Sequence, residues 1–333
     1  MDELTVALSH SNNGKAMGID GLPNEVLKLS DIRHLILQII NAIHESASAG
    51  MTLPQTLKTS VLVTLFKKGD LSDCGNWRGI ALMPHITKLY DKLLLFRLRV
   101  IDPFMSPLQN GFREGRNTTH HILALTQLLD IAKTRKNYPL HGCFVDFSKA
   151  FDSISWPAIK RALLSWNTPT ALINAIFAVM EGHTMRVRVD KELTDPIQVG
   201  VGVLQGDTLA PFLFVLVVDG LLSNLPRDCG ITVDDVQLVA MAFADDIVLL
   251  APSVRKLQQL FSNLEANALK VGLKINLGAG KTERFKVDAL DPDPTIPLVT
   301  AAQKVIPLVD SYKYLGVYAM NRDDDWKRRK GMR

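Results

Sequence analysis

Two adjacent carboxylates, Asp245 and Asp246, stand between apolar runs in the segment Val236-Gln-Leu-Val-Ala-Met-Ala-Phe-Ala-Asp-Asp-Ile-Val-Leu-Leu250. The β-branched, aromatic and aliphatic residues on both sides predict paired strands, with the acidic pair as the turn of a tight hairpin in a buried sheet. Like charges about 4 Å apart cost about 4 kcal/mol at an effective dielectric near 20. A cation or a proton relieves that cost. Divalent metal is the simplest relief, and it points to metal-dependent phosphoryl chemistry. The competing reading is a solvated Asp-Asp turn, because Asp populates turns readily. A third carboxylate, Asp146, ends the apolar run Gly142-Cys-Phe-Val and precedes Phe-Ser-Lys-Ala-Phe-Asp152. Asp146 and Asp245 on neighbouring strands would hold two Mg²⁺ ions, which also keep water and substrate oxygens as ligands. No histidine cluster competes, and His120-His121 at a helix start reads as a surface pair.

The elements that must position these residues follow from periodicity. The first 30 residues are polar and rich in turn formers. Ile32, Leu35, Ile36, Ile39, Ile40 and Ile43 then predict a helical face ending by Gly50. Residues 60–82 read as a hairpin, 85–101 as a helix stopped by Pro103, and Asn117 as the cap of a helix carrying Ile122, Leu125, Leu128, Leu129 and Ala132. Ser155 caps a further helix with Pro157 in its first turn, and another helix spans about 169–181. Met185 to Val189 pairs with Ile197 to Val201, Pro211 opens a helix to Leu222, and Val254 to Val271 is amphipathic and closed by Gly272. Short strands are expected near 283–287 and 305–318. Hairpins outnumber crossovers, which favours α+β with a mostly antiparallel sheet.

The 333 residues are 47% hydrophobic and 22% charged, an ordinary globular composition. A net charge of +4 suits a polyanionic partner but does not establish one. Basic residues cluster at Lys67-Lys68, Lys133-Thr-Arg135-Lys136, Arg186-Val-Arg188 and Lys327-Arg-Arg-Lys330; each cluster taken singly reads as a solvated face. Cys74, Cys143 and Cys229 suggest neither a disulfide framework nor a zinc site, so a reducing, intracellular compartment is expected. No apolar run approaches 18 residues, so no membrane span is expected.

Three segments occur in one order: Phe-Val-Asp-Phe-Ser-Lys-Ala-Phe-Asp-Ser (144–153), Gly-Val-Leu-Gln-Gly-Asp-Thr-Leu-Ala-Pro (202–211) and Phe-Ala-Asp-Asp (243–246). They resemble the successive palm motifs of reverse transcriptases. Asn-Gly-Phe-Arg-Glu-Gly-Arg-Asn-Thr (110–118), Gly-Leu-Lys-Ile-Asn (272–276) and Tyr-Lys-Tyr-Leu-Gly-Val (312–317) agree. Gly-Ile-Asp-Gly-Leu-Pro-Asn-Glu (18–25) and Trp-Arg-Gly-Ile-Ala-Leu (77–82) resemble fingers motifs of the non-LTR, LINE-type branch. The resemblance implies a right-hand polymerase fold: fingers over 1–140, palm over 141–318 with some fingers elements interleaved, and the start of a truncated thumb over 319–333. The reverse transcriptase domain would cover about 50–318. It implies an RNA-directed DNA polymerase using two Mg²⁺ (or Mn²⁺), an RNA template, a DNA primer and deoxynucleoside triphosphates, and a nuclear location for an active element.

Residue by residue, the resemblance makes Asp146 and Asp245 metal ligands, assisted by the Phe147 carbonyl, with Asp246 in a secondary electrostatic part. Phe151 falls at the steric gate, where a ring under the sugar excludes a 2′-hydroxyl; a plain core Phe is the alternative. Gln205 and Gly206 would approach the nucleotide, and Lys68 and Arg78 would bind its triphosphate. Arg113 and Arg116 would hold template phosphate. Tyr314, Leu315 and Gly316 would form the primer grip, and Lys281 would be a general acid for pyrophosphate. Asn276-Leu-Gly-Ala-Gly-Lys281 is two residues longer than the family spacing, and Gly79 replaces the common Pro. Only 15 residues follow Tyr318, no endonuclease precedes residue 14 and no Cys/His knuckle follows, which makes an excerpt or a decayed copy the expectation. A non-catalytic nucleic-acid-binding remnant is the reading from a second class. A nucleotidyl cyclase is a third, opposed by Gln205-Gly206 and Tyr314-Leu-Gly.

Overall fold

Periodicity carries most of the chain into the elements it predicts. The structure, a computed structural model, describes residues 3–135, 138–190, 192–287 and 296–319. The thumb expected over 319–333 lies outside these from residue 320, as do Lys136 and the Lys327–Lys330 cluster.

In chain order the N-terminal part runs α1 (Glu3–Ser9), α2 (Asn24–Leu27), α3 (Arg33–Ser48), β1 (Thr59–Phe66), β2 (Trp77–Leu82), α4 (His85–Leu98) and α5 (Thr118–Thr134). The middle runs β3 (Leu140–Val145), α6 (Ala150–Ser153), α7 (Trp156–Ser165), α8 (Thr170–Met180), β4 (Thr184–Val189), β5 (Glu192–Leu193), β6 (Ile197–Gln198) and α9 (Ala210–Ser223). The remainder is β7 (Ile231–Val233), β8 (Val236–Leu238), β9 (Ala240–Phe243), β10 (Asp246–Ala251), α10 (Val254–Lys270), β11 (Glu283–Val287), β12 (Tyr312–Tyr314) and β13 (Val317–Ala319).

Local signals set several boundaries. The Asn117 and Ser253 side chains accept the amides of His120 and Lys256, capping α5 and α10. Ser155 precedes α7 without a side-chain cap, and Pro157 starts that helix instead. The helix before Pro103 ends at Leu98, and a 3₁₀ stretch carries the chain from Arg99 through Pro103 to Phe104. The polar first segment hides α1, which buries Leu4, Ala7 and Leu8.

The chain forms two compact units, each discontinuous in sequence: 1–103 with 154–214, and 104–153 with 215–333. In the first, β1 pairs antiparallel with β2 and parallel with β4, and β4 pairs antiparallel with β5 and β6. The parallel step, Thr59 beside Thr184, joins segments that local reading treats as separate hairpins. The second unit holds an antiparallel sheet in the order β11-β3-β10-β9. The strand β3 is buried along its whole length, as a central strand covered on both faces must be. Phe144 stacks on Tyr312 at 4.1 Å, and Phe285 crosses the sheet over Gly142. A Cβ on Gly142 would lie 2.2 Å from the Phe285 ring, so only glycine leaves that ring room. α10 covers one face with Leu257, Leu260, Phe261 and Leu264. No described helix is long and apolar enough to cross a membrane.

Candidate active site

The carboxylates gather in the second unit because two strands end there. Ile247 pairs with Val145, so one step along the ladder Asp246 stands across from Asp146. Asp245 is in the turn with Ala244, and Asp246 is already the first residue of β10. Ala244 has φ +58°, the left-handed value that a tight connection between twisted strands demands. The electrostatics register the gathering: burial, then the charges of Asp245 and Asp146, push the Asp246 carboxyl up to about 6, while Lys281 pulls it down.

Asp146 is held by a neighbouring segment. Asn276 donates from Nδ2 to Asp146 Oδ2 at 2.8 Å, and its backbone amide donates to the Asp146 carbonyl at 2.8 Å. Lys281 Nζ lies 3.5 Å from Asp146 Oδ1, so the longer Asn276–Lys281 connection still delivers the ammonium to this carboxylate. The antiparallel bridge between Phe147 and Ile275 uses the Asp146 carbonyl and the Ser148 amide, not the Phe147 carbonyl.

The donors offered are two carboxylates and a carbonyl, hard oxygens that suit Mg²⁺ rather than a soft metal. Among the described residues no three His, Cys, Asp or Glu side chains close around one point. An ion held by these oxygens would take its remaining ligands from water and substrate.

Other predicted residues fall beside or away from this cluster. Phe151 is half-buried on α6 and meets Phe112 edge-on at 6.1 Å, so it is not a fully enclosed core ring. Tyr314 is buried at 3% exposure; its hydroxyl contacts His121 Nε2 at 3.0 Å and donates to the Asp246 carbonyl at 3.3 Å. The tip of that hairpin is Leu315-Gly316, with φ +48° and +86°, a two-residue turn with both residues left-handed; Leu315 is half-buried against the core that holds Tyr314, and Gly316 is exposed. Of the three residues expected in the grip, Tyr314 is buried, Leu315 half-buried and Gly316 exposed. Arg116 is exposed just before α5.

Two expectations are corrected. Arg113, expected on template phosphate, is buried and donates from Nη1 to the carbonyls of Ser106 (2.7 Å) and Gln109 (2.8 Å), so it braces its own loop. His120 is exposed as expected, but its neighbour is not: His121 is buried at 2% exposure, edge-on to Phe243 and bonded to Tyr314. Burial lowers its imidazole from 6.5 to about 4, which keeps it neutral. A helix start places adjacent residues about 100° apart, so one points to water while the other turns inward.

Sequence reading missed Gln109 altogether. It is fully buried; Oε1 accepts from the amides of Ala244 (2.8 Å) and Gly111 (2.8 Å), and Nε2 donates to the Ala244 carbonyl (3.1 Å). No local pattern marks a bond spanning 135 residues.

The remaining predicted residues belong to the first unit. Lys68 and Arg78 are exposed on the β1–β2 hairpin, Lys68 in its loop and Arg78 paired with Leu65. The Gln205 carbonyl accepts from the Ala81 amide at 2.7 Å. Gly206 has φ +117°, and a Cβ there would lie 2.6 Å from the Ala81 carbonyl oxygen. The close backbone approach that this glycine allows is thus made to β2. Asp207, unexplained by sequence, accepts the Leu209 amide at 3.0 Å at the start of α9. It faces the fully buried Asp91, and burial, then the charge of Asp207, push the Asp91 carboxyl well above the usual carboxylate range.

The reverse transcriptase (RNA-dependent DNA polymerase) family matches residues 66–319. A Xenopus laevis protein of transposon TX1 is 28% identical over 330 residues, 96% of this chain and 24% of the relative. A Pol polyprotein from the type-1 retrotransposable element R2 of Popillia japonica is 31% identical over 270 residues, 78% of this chain and 37% of the relative. The chain thus spans 24% and 37% of the lengths of these two relatives. An apo telomerase structure from Candida tropicalis superposes with a TM-score of 0.55 at 12% identity, covering 80% of this chain and 54% of that one; the fold is shared.

Proposed function

Since the chain belongs to the reverse transcriptase family, on the LINE-type branch that its motifs resemble, we propose that it extends a DNA 3′-hydroxyl along an RNA template. The observation that carries this reading is that Asp146 and Asp246 flank the Val145–Ile247 pair of β3 and β10, with Asp245 in the adjoining turn and the charges of Asp245 and Asp146 both raising the Asp246 carboxyl. Asp146, Asp245 and the Phe147 carbonyl are the ligands for two Mg²⁺ ions, with Mn²⁺ as a substitute. Bound there, the ions would acidify the primer hydroxyl and stabilise charge on the departing pyrophosphate.

The chain's own groups do the rest. Asn276 and Lys281 fix the Asp146 carboxylate. Lys281, half-exposed beside Asp146, is the proposed proton donor to the leaving group. Phe151 sets the floor beneath the sugar and selects deoxynucleotides. Arg116 and the Leu315-Gly316 turn are the proposed template and primer contacts. Lys68, Arg78, Gln205 and Gly206 are proposed as nucleotide ligands from the family resemblance alone.

Extension of oligo(dT) on poly(rA) with Mg²⁺ and dTTP, with Asp245→Ala as control, tests this. Incorporation by the wild type that vanishes in the variant supports the reading. Tight RNA binding without incorporation by either protein overturns it in favour of the non-catalytic remnant.

A further inference from the structure

We propose that Gln109 is a positioning residue that sets the backbone of the Ala244-Asp245 turn and thereby the aim of the Asp245 carboxylate; this rests on the polymerase reading above. The geometry is that of a missing peptide. One side-chain amide satisfies both polar groups of Ala244, accepting its N–H at 2.8 Å and donating to its C=O at 3.1 Å, as a neighbouring strand would. Ala244 needs that support. Its φ of +58° is strained for an L-residue with a Cβ, and at 4% exposure water cannot replace the bonds.

Gln109 is itself immobilised. Its backbone bridges Ala242 of β9, with Asn110 N donating to the Ala242 carbonyl at 2.8 Å and Ala242 N to the Leu108 carbonyl at 2.8 Å. Its carbonyl receives the buried Arg113 guanidinium, whose corrected role now has a purpose. Gly111 closes the arrangement: a Cβ there would lie 2.2 Å from Ala244 N, so this loop is pressed against the turn. An ordinary buried glutamine would satisfy whichever backbone groups lay nearby. This one spends its amide on the strained residue next to a metal-binding carboxylate.

The test uses the full chain and two variants. Gln109→Met keeps length and removes every polar contact; Gln109→Glu keeps the Oε1 acceptor and loses the amide donor. Three readouts apply: Mn²⁺ binding by water-proton relaxation, amide hydrogen exchange, and oligo(dT) extension on poly(rA). In Gln109→Met the amides of Ala244 and Gly111 lose protection while those of Val248 and Leu249 in β10 keep it. Mn²⁺ affinity falls about tenfold, and kcat falls about 10- to 100-fold, with the dTTP KM within about threefold. Gln109→Glu keeps both amides protected and loses less Mn²⁺ affinity. Wild-type Mn²⁺ affinity in Gln109→Met overturns the proposal, whatever the extension assay shows. If Gln109→Met does not fold, rapid exchange of Ala244 and Gly111 in folded Gln109→Glu overturns it instead. If the wild type does not extend primers yet the Mn²⁺ and exchange contrasts appear, the polymerase reading fails and the positioning role stands.

Discussion

Two Asp-Asp pairs lie eleven residues apart in consecutive hairpins, and they are built oppositely. Asp234-Asp235 joins β7 to β8 with φ +44° and +65°, both residues exposed. This is the solvated turn that sequence alone would allow for any acidic pair, with Asp tolerating left-handed φ. Asp245-Asp246 instead has a left-handed alanine in front of it, Gln109 bonded to that alanine, and Tyr314 donating to the Asp246 carbonyl. The first pair is exposed on its turn, whereas buried Gln109 and Tyr314 side chains bond the backbone around the second. Identical dipeptides therefore say little; what differs is the number of remote residues committed to each.

Substitution breaks the comparison most directly at the carboxylates. Asp245→Ala is expected to reduce primer extension at least about a thousandfold, whereas Asp235→Asn leaves it within about twofold, both read by deoxynucleotide incorporation. Ca²⁺ in place of Mg²⁺ should give the wild type the low rate of the first variant.

The next effect is on stability against acid. His121 stays neutral because burial lowers it from 6.5 to about 4. A depressed histidine contributes no penalty above its unfolded value. The folded state loses stability as pH falls through 6.5 towards 4, by about 3 kcal/mol in full. His183, also lowered to about 4, adds its own share from the first unit. Urea unfolding at several pH values should show a shallower acid limb in His121→Gln than in the wild type.

Tyr314→Phe removes the hydroxyl bonds and should cost about 1 kcal/mol in urea unfolding. Extension should fall by a smaller factor than in Asp245→Ala. The smallest effect belongs to the solvated turn: Asp235→Gly suits its left-handed φ and should change stability by less than about 0.5 kcal/mol.

The sequence was most legible where the signal was local. Asn117 as a cap, Asp146 at a strand end and the hairpin around Asp245 were all readable from neighbours in the chain. Four features were not, and each for a physical reason. Gln109 and His121 work through partners 135 and 193 residues away, and nothing nearby marks them. Arg113 is buried against the usual preference of its residue type, because carbonyls of its own loop receive the guanidinium. The parallel pairing of β1 with β4 joins residues 125 apart, beyond the reach of hairpin signals. The family resemblance carried the roles of Asp146, Asp245 and Asp246 further than periodicity alone could.

The Tyr314 hydroxyl has a consequence for the nascent chain. It reaches the carbonyl of a residue made 68 positions earlier. A ribosome that has just released Asp246 has exported the acidic pair but not its fastening. Until the tyrosine follows, several seconds later at about 5–20 residues per second, the strand carrying that aspartate is without its tether.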